Sequence, residues 1–188
     1  MKKLREESVP LITFFTNKFP KGNDKIQIIH KMGSQSYDVQ VYNSNIPNLD
    51  YIEIGDSTMN REGAARMEVL NNEGSVFTGC PVTITGSRNK GDRKVYIEGM
   101  PIPEDQSLKK VVNEVKGIII KKEFNANKYP INTGLLVHFN DHFFHREKER
   151  KFFQELLPSI EAIRNFSYLF LVGASGKVFR EFSLSQLS

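Results

Sequence analysis

The spacing of apolar residues changes period several times along the chain, and each change predicts a helix or a strand. Helical spacing predicts four helices: Ser8 to about Pro20, about 60–72, QSLKKVVNEVKGIIIKKEF, and HREKERKFFQELLPSIEAIRN with a break near Pro158. Alternating or continuous apolar runs predict strands over roughly 25–32, in SYDVQVYN, in LDYIEIGD, as a hairpin within 75–100, in GLLVHFND, and as a final pair in SYLFLVGASGKVFREFSL. This order predicts an α/β fold with a mixed central β-sheet flanked by helices.

Composition fits one compact domain over residues 1–188, because 39% hydrophobic and 26% charged residues are ordinary globular values. The single cysteine, Cys80, excludes an internal disulfide and favours a reducing, cytoplasmic setting. The first apolar run is too short and too broken for a signal peptide or a membrane span, so we expect no membrane partner.

A net charge of +4 is compatible with a polyanionic partner such as DNA or RNA. Basic residues concentrate in three stretches, at 87–94, 121–128 and 145–151. Each stretch is either ordinary solvated surface or a contact for phosphate groups, and the sequence leaves both interpretations open.

Two neighbouring strands of the predicted sheet each carry a carboxylate beside apolar residues. If the turn pairs position 40 with 53, Asp38 lies diagonal to Glu53, at roughly 7 to 8 Å, with Gly55 opposite Asp38; a slip of one pair would place Asp38 and Glu53 directly opposite each other. Two carboxylates that close must take up a proton or a cation. Mg²⁺ or Mn²⁺ fits because these ions prefer oxygen ligands, and Gln40, on the same face as Asp38, is a further candidate ligand. The alternative is that both acids lie on a solvated sheet face and bind nothing.

A lysine near the end of the third predicted helix is the candidate catalytic cation. Lys122 follows Val111, Val115 and Ile119 at helical spacing, so it continues the apolar stripe of that helix. Lys121, about 100° around the helix, is the second choice. The structural alternative is a lysine whose stem covers apolar surface while its amine reaches water.

The stretch YDVQV…LDYIEIG is similar to the acidic hairpin of the restriction-endonuclease-like PD-(D/E)XK phosphodiesterase superfamily. IIIKKEFNANKYPINTGLLVHFND resembles the helix and strand of members whose lysine has moved from the strand to the helix. The resemblance spans roughly residues 8–140, with an insertion at about 60–105. Gly55 stands where the family has its lysine, and Tyr37 stands where it has its proline.

This resemblance implies an αβββαβ core with a β-hairpin insertion and metal-dependent hydrolysis of a phosphodiester bond in nucleic acid. It implies that Asp38 and Glu53 bind the metal, and that Lys122, or Lys121, orients the attacking water or offsets developing charge. The basic tip at 87–94 would contact the nucleic-acid backbone. The alternative from another class is a non-catalytic protein- or nucleic-acid-binding module, which Gly55 favours.

A second cluster of possible metal ligands lies in VHFNDHFFHREKE, where His138, His142 and His145 accompany Asp141. Short histidine spacing is typical of zinc sites. The spacing here puts His138 in a strand and the others in the following turn, which favours an exposed polar turn over a zinc site. The glycines of VGASGKVF, residues 172–179, predict a hairpin turn.

Overall fold

A computed structural model describes residues 2–22, 26–30, 36–42, 46–58, 61–73, 82–86, 91–97, 103–142 and 144–184. The helices are α1 (Lys2–Lys18), α2 (Arg61–Glu73), α3 (Glu104–Phe124) and α4 (Arg146–Glu161), and a 3₁₀ turn lies at Ala126–Lys128. The strands are β1 (Gln27–His30), β2 (Val39–Tyr42), β3 (Tyr51–Asp56), β4 (Val82–Thr85), β5 (Lys94–Ile97), β6 (Thr133–Phe139), β7 (Tyr168–Gly173) and β8 (Phe179–Ser183). The predicted α/β class is confirmed.

The chain forms two compact units, one made of residues 1–57 and 111–188 and the other of residues 58–110. The first unit contains a six-stranded sheet in the order β1-β2-β3-β6-β7-β8. β3, β6 and β7 are parallel to one another, whereas β1, β2 and β8 pair in antiparallel fashion. The sheet is therefore mixed, with its parallel strands in the centre, where every residue of β6 and β7 is buried.

Helices cover both faces of this sheet. On one face, α1 packs through Leu11 and Phe14 against alternate strand residues such as Ile52 and Ile54, and the rings of Phe14 and Phe170 lie 4.7 Å apart. The complete cluster on this face contains Leu11, Phe14, Val39, Val41, Ile46, Leu49, Ile52, Ile54, Leu136, Tyr168, Phe170 and Val172. Because side chains alternate along a strand, Glu53 and Gly55 belong to the opposite face.

That opposite face is covered by α4 and by the part of α3 that belongs to the first unit. The ring of Phe152 on α4 stacks on that of Phe139 on β6 at 4.8 Å. Ile118 of α3 lies directly over Gly55 of β3. The acidic residue of β3 is thus enclosed between a sheet and a helix.

The second unit, residues 58–110, contains α2 and an antiparallel hairpin of β4 and β5. Both elements match the prediction, and Arg93 pairs with Glu68 inside this unit at 3.3 Å. The predicted insertion at about 60–105 falls within it. Residues 87–90 of the predicted basic tip, and Cys80, lie outside the described residues.

Two helix boundaries were predicted wrongly, each at a proline. α1 begins before Ser8 and contains Pro10, and α4 continues through Pro158 instead of breaking there. An internal proline costs a helix about 3 kcal/mol. In α4 the buried residues Leu156 and Ile160 lie on either side of the proline, so packing on the core offsets that cost. Within the described ranges, no helix has the length and apolar content that a membrane span requires.

Candidate functional site

The pairing of β2 with β3 places Asp38 next to Glu53. Gln40 pairs with Tyr51 and Val39 with Ile52, so the same register continued by one residue sets Asp38 opposite Glu53. The pairing of position 40 with 53 is therefore wrong, and the structure has the alternative pairing, slipped by one pair, that sets the two acids opposite each other. Sequence alternation is satisfied by either pairing, so it does not decide the register.

Asp38 is fixed by hydrogen bonds to the two peptide groups that flank Glu53. Its backbone N–H donates to the carbonyl oxygen of Ile52 at 3.2 Å, and its Oδ2 accepts the N–H of Ile54 at 2.9 Å. The carboxylate therefore takes the place of a backbone acceptor at the end of the ladder. This arrangement holds the two acidic side chains on one segment of the sheet.

Helix α3 brings Lys122 to the same point. Ile118 packs over Gly55 and the Lys122 amine donates to Glu53 Oε1, so α3 runs antiparallel to β3. The distances along the two elements agree with this arrangement. The helix rises about 6 Å from Ile118 to Lys122, and the strand covers about 6.6 Å from Gly55 to Glu53. A Cβ on residue 55 would overlap Ile118 Cγ2. The helix therefore occupies the space that a side chain at position 55 would need, and it supplies a lysine itself.

Glu53 is the electrostatic centre of this cluster. Its side chain is 9% exposed and that of Lys122 is 22% exposed. Burial, together with the negative charge of Asp38, raises the pKa of Glu53 to about 7, although the Lys122 amine opposes the shift. With its pKa at about 7, Glu53 gains and loses its proton near neutral pH.

Tyr129 is a further member of the site that sequence reasoning missed. It follows the 3₁₀ turn after α3, and its hydroxyl donates to Glu53 Oε1 at 3.3 Å. Its ring packs on Phe166 with centroids 5.5 Å apart, which orients the hydroxyl. Burial and the Glu53 carboxylate raise the pKa of Tyr129 above its ordinary value. The only signal in the sequence was a tyrosine directly after the basic stretch 121–128, and such a position does not specify a partner.

The other predicted site residues lie apart from Glu53. Lys121 is exposed, as expected for a residue 100° around the helix from Lys122, so the structure favours Lys122 of the two lysines. Gln40 lies opposite Tyr51, and in the described part of the chain its side chain makes no hydrogen bond to either carboxylate. Glu7, a buried acid of α1, also lies apart from this site, because α1 packs on the opposite sheet face.

The histidine-rich stretch follows the prediction in part: His138 lies in a strand, and His142 and His145 after it are exposed, whereas Asp141 is buried. His138 is buried within β6, and its Nδ1 lies 3.1 Å from Asp56 Oδ1 on β3. Asp141 is also buried, and it accepts three hydrogen bonds from Ser175 and Val178 in the turn between β7 and β8. His142 is exposed. His138 therefore stabilises the pairing of β6 with β3, and Asp141 stabilises the turn between β7 and β8.

The donor set at the acidic pair suits a hard divalent cation. Lys122 and Tyr129 both donate to Oε1 of Glu53. Among the residues that the structure describes, no group of three or more histidine, cysteine or acidic side chains forms a ready-made metal site. Two carboxylates suit Mg²⁺ or Mn²⁺, since Mg²⁺ is usually held by one or two carboxylates together with waters and substrate phosphate.

No protein-family model matches this chain, and neither a curated protein nor a solved structure matches it. The resemblance to the PD-(D/E)XK superfamily therefore rests on the residues of this chain alone.

Proposed function

We propose that this protein is a Mg²⁺- or Mn²⁺-dependent phosphodiesterase that hydrolyses nucleic acid. The observation that carries the proposal is the convergence of Asp38, Glu53 and Lys122 on one segment of the sheet. The order α1-β1-β2-β3-α3-β6, with β3 parallel to β6, agrees with the αβββαβ core that the resemblance implies.

The charge balance of the cluster supports a cation ligand. Two carboxylates and one amine carry a net negative charge when Glu53 is ionised, and burial first, then the charge of Asp38, raises the pKa of Glu53. In this proposal Asp38 and Glu53 hold the ion. Bound there, Mg²⁺ or Mn²⁺ supplies polarisation of the phosphate and a water of lowered pKa.

Lys122 and Tyr129 have separate roles in this proposal. The Lys122 amine lies at the edge of the acidic pair, where it offsets negative charge that develops on a phosphate. Tyr129 holds Glu53 Oε1 and so directs Oε2 towards the ion. Lys121 and Lys128, the exposed lysines of the basic stretch 121–128, provide contacts for the nucleic-acid backbone.

A matched pair of lysine variants tests the catalytic assignment. Purified protein is incubated with mixed single- and double-stranded DNA and RNA plus Mn²⁺, and cleavage is followed on denaturing gels. Lys122→Met should lose about 10²- to 10³-fold in rate, the usual loss for one charge-stabilising group. Lys121→Met removes an equal charge from the adjacent exposed position and should retain most activity. Equal losses would remove Lys122 from the mechanism, and full cleavage by Glu53→Gln would reject the site.

A non-catalytic binding module is the second candidate function. The Lys122–Glu53 ion pair favours it, because it compensates part of the buried charge without a metal. Thermal unfolding in Mg²⁺ or Mn²⁺ separates the two functions. A metal site should give about 2.7 kcal/mol of stabilisation at a hundred times the Kd, lost in Asp38→Asn and Glu53→Gln. The absence of any shift at millimolar metal would favour the binding module.

A further inference from the structure

An aromatic pair lies beside the two carboxylates. The rings of Tyr37 and Tyr51 have centroids 4.5 Å apart and an interplanar angle of 48°. Tyr37 directly precedes Asp38, and Tyr51 lies two residues before Glu53 on the same sheet face. Both side chains are only partly buried, so solvent and ligands reach the pair.

The position of this pair matches the dimensions of a nucleotide. Two residues along a strand span about 6.6 Å, so the Tyr51 backbone lies close to that of Glu53. The base and the phosphate of one nucleotide are joined through a single sugar. A phosphate at Asp38 and Glu53 therefore has its own base, or the adjacent one, within reach of the two rings.

Positive charge on the segment that carries Lys122 and Tyr129 also fits a nucleic-acid strand. Lys121 and Lys128 are exposed on the segment that carries Lys122 and Tyr129 to the site. Lys128 is oriented by a hydrogen bond of 2.9 Å from its amine to Asn125 Oδ1. Aromatic rings combined with basic residues are the usual platform for unpaired bases, because every base has a face that stacks.

We propose that the strand bound at this site is single-stranded nucleic acid, with an unpaired base stacked on the Tyr37–Tyr51 pair and its phosphate over Asp38 and Glu53. A base within a duplex is already stacked on both faces and does not reach such a platform unless it is extruded. The inference rests on the proposed function for the position of the phosphate. The inference adds to the proposed function that the substrate is single-stranded, which the two carboxylates by themselves do not specify.

Binding in Ca²⁺, supplied in place of Mg²⁺ or Mn²⁺ as another cation with oxygen ligands, tests this inference with a cation present between the phosphate and the two carboxylates, and gels check that the strands stay intact. Fluorescein-labelled single-stranded DNA, single-stranded RNA and the corresponding duplex are titrated with the full chain, and anisotropy gives each Kd. We expect at least one single strand to bind about tenfold more tightly than the duplex, and the DNA and RNA arms identify which. Tyr51→Leu and Tyr37→Leu should each weaken that binding by about 5- to 150-fold, the usual effect of losing one stacked ring. Tyr51→Phe keeps the ring and should bind as the wild type does.

Phe124→Ala provides the matched control, because this ring is 86% exposed and, at the end of α3, points about 200° around the helix from Lys122. Its loss should leave the Kd unchanged. The chain has no tryptophan, so tyrosine emission reports folding of each variant and its quenching by a stacked base. Equal affinity for duplex and single strand, or equal effects of Tyr51→Leu and Phe124→Ala, would overturn the inference. If Tyr51→Leu still cleaves nucleic acid and shows no preference between single strand and duplex, the inference fails and the proposed nuclease function stands. If single strands bind in a manner that depends on the tyrosine rings but are never cleaved, the nuclease function fails and the binding inference stands.

Discussion

The buried carboxyl group of Glu53 should make the stability of this protein depend on pH in an unusual direction. Its pKa is raised from 4.5 to about 7, mainly by burial and then by the charge of Asp38. The folded state therefore holds a proton between these values that the unfolded state has released. The contribution of this proton to the free energy of unfolding is fully present below about pH 4.5 and is lost as the pH rises towards 7. Above pH 7 the free energy of unfolding no longer changes on account of this group.

The magnitude follows from the shift in pKa. Moving from 4.5 to about 7 corresponds to roughly 3 kcal/mol, which is a large part of the 5 to 15 kcal/mol that stabilises an ordinary domain. Because the Glu53 side chain is only 9% exposed, solvent screens this effect little. Glu53→Gln removes the titrating proton and nearly preserves the shape of the side chain.

Urea unfolding of the wild type and Glu53→Gln at half-unit steps from pH 4.5 to 8 measures the effect. The difference in unfolding free energy between the two proteins should change by roughly 3 kcal/mol across this range, in favour of the variant at high pH. Only the change with pH is diagnostic, since glutamine also alters the hydrogen bonds with Lys122 and Tyr129 at every pH. Parallel curves would refute the assignment of a buried, proton-binding carboxyl group.

Three other outcomes are expected. Tyr129→Phe removes a hydrogen bond that lowers the pKa of Glu53, so the pKa of Glu53 should rise further. In the same unfolding experiment, the pH range over which stability falls should then extend to higher pH. An unchanged range would contradict the contact between Tyr129 and Glu53. Gly55→Ala should destabilise the protein by about 1 to 3 kcal/mol, because the added Cβ overlaps Ile118. Gly117→Ala adds a Cβ with nothing within 4 Å at an exposed position of α3, and it should stabilise the protein by about 0.5 to 1 kcal/mol. Urea unfolding measures both changes, and equal effects would refute the contact between Ile118 and Gly55. Asp141→Asn turns an amide group towards backbone and hydroxyl donors and should cost about 2 to 4 kcal/mol; a loss below 0.5 kcal/mol in thermal unfolding would show that the turn does not depend on this carboxylate.

The candidate site could be predicted only in part from the sequence. Apolar periodicity along α3 identified Lys122 as part of the buried stripe, and strand alternation identified Asp38 and Glu53 as candidates for one face. Tyr129 could not be found in this way, because it lies in an irregular segment after α3 where no period assigns a direction. The Tyr37–Tyr51 pair likewise depends on the register of two strands.

The sequence by itself determined the type and order of nearly all the elements, since periods of 3.6 and 2 residues, and the placement of glycine and asparagine, are local properties. The tertiary structure decided the register of β2 on β3, the continuation of α4 through Pro158 and the burial of His138. These features depend on the balance between a local cost, such as a lost hydrogen bond or a desolvated polar group, and packing against residues distant in the chain. For the same reason the pKa of Glu53 belongs to the fold: it arises from burial, from Asp38 and from Lys122, and no neighbouring position in the sequence contains that information.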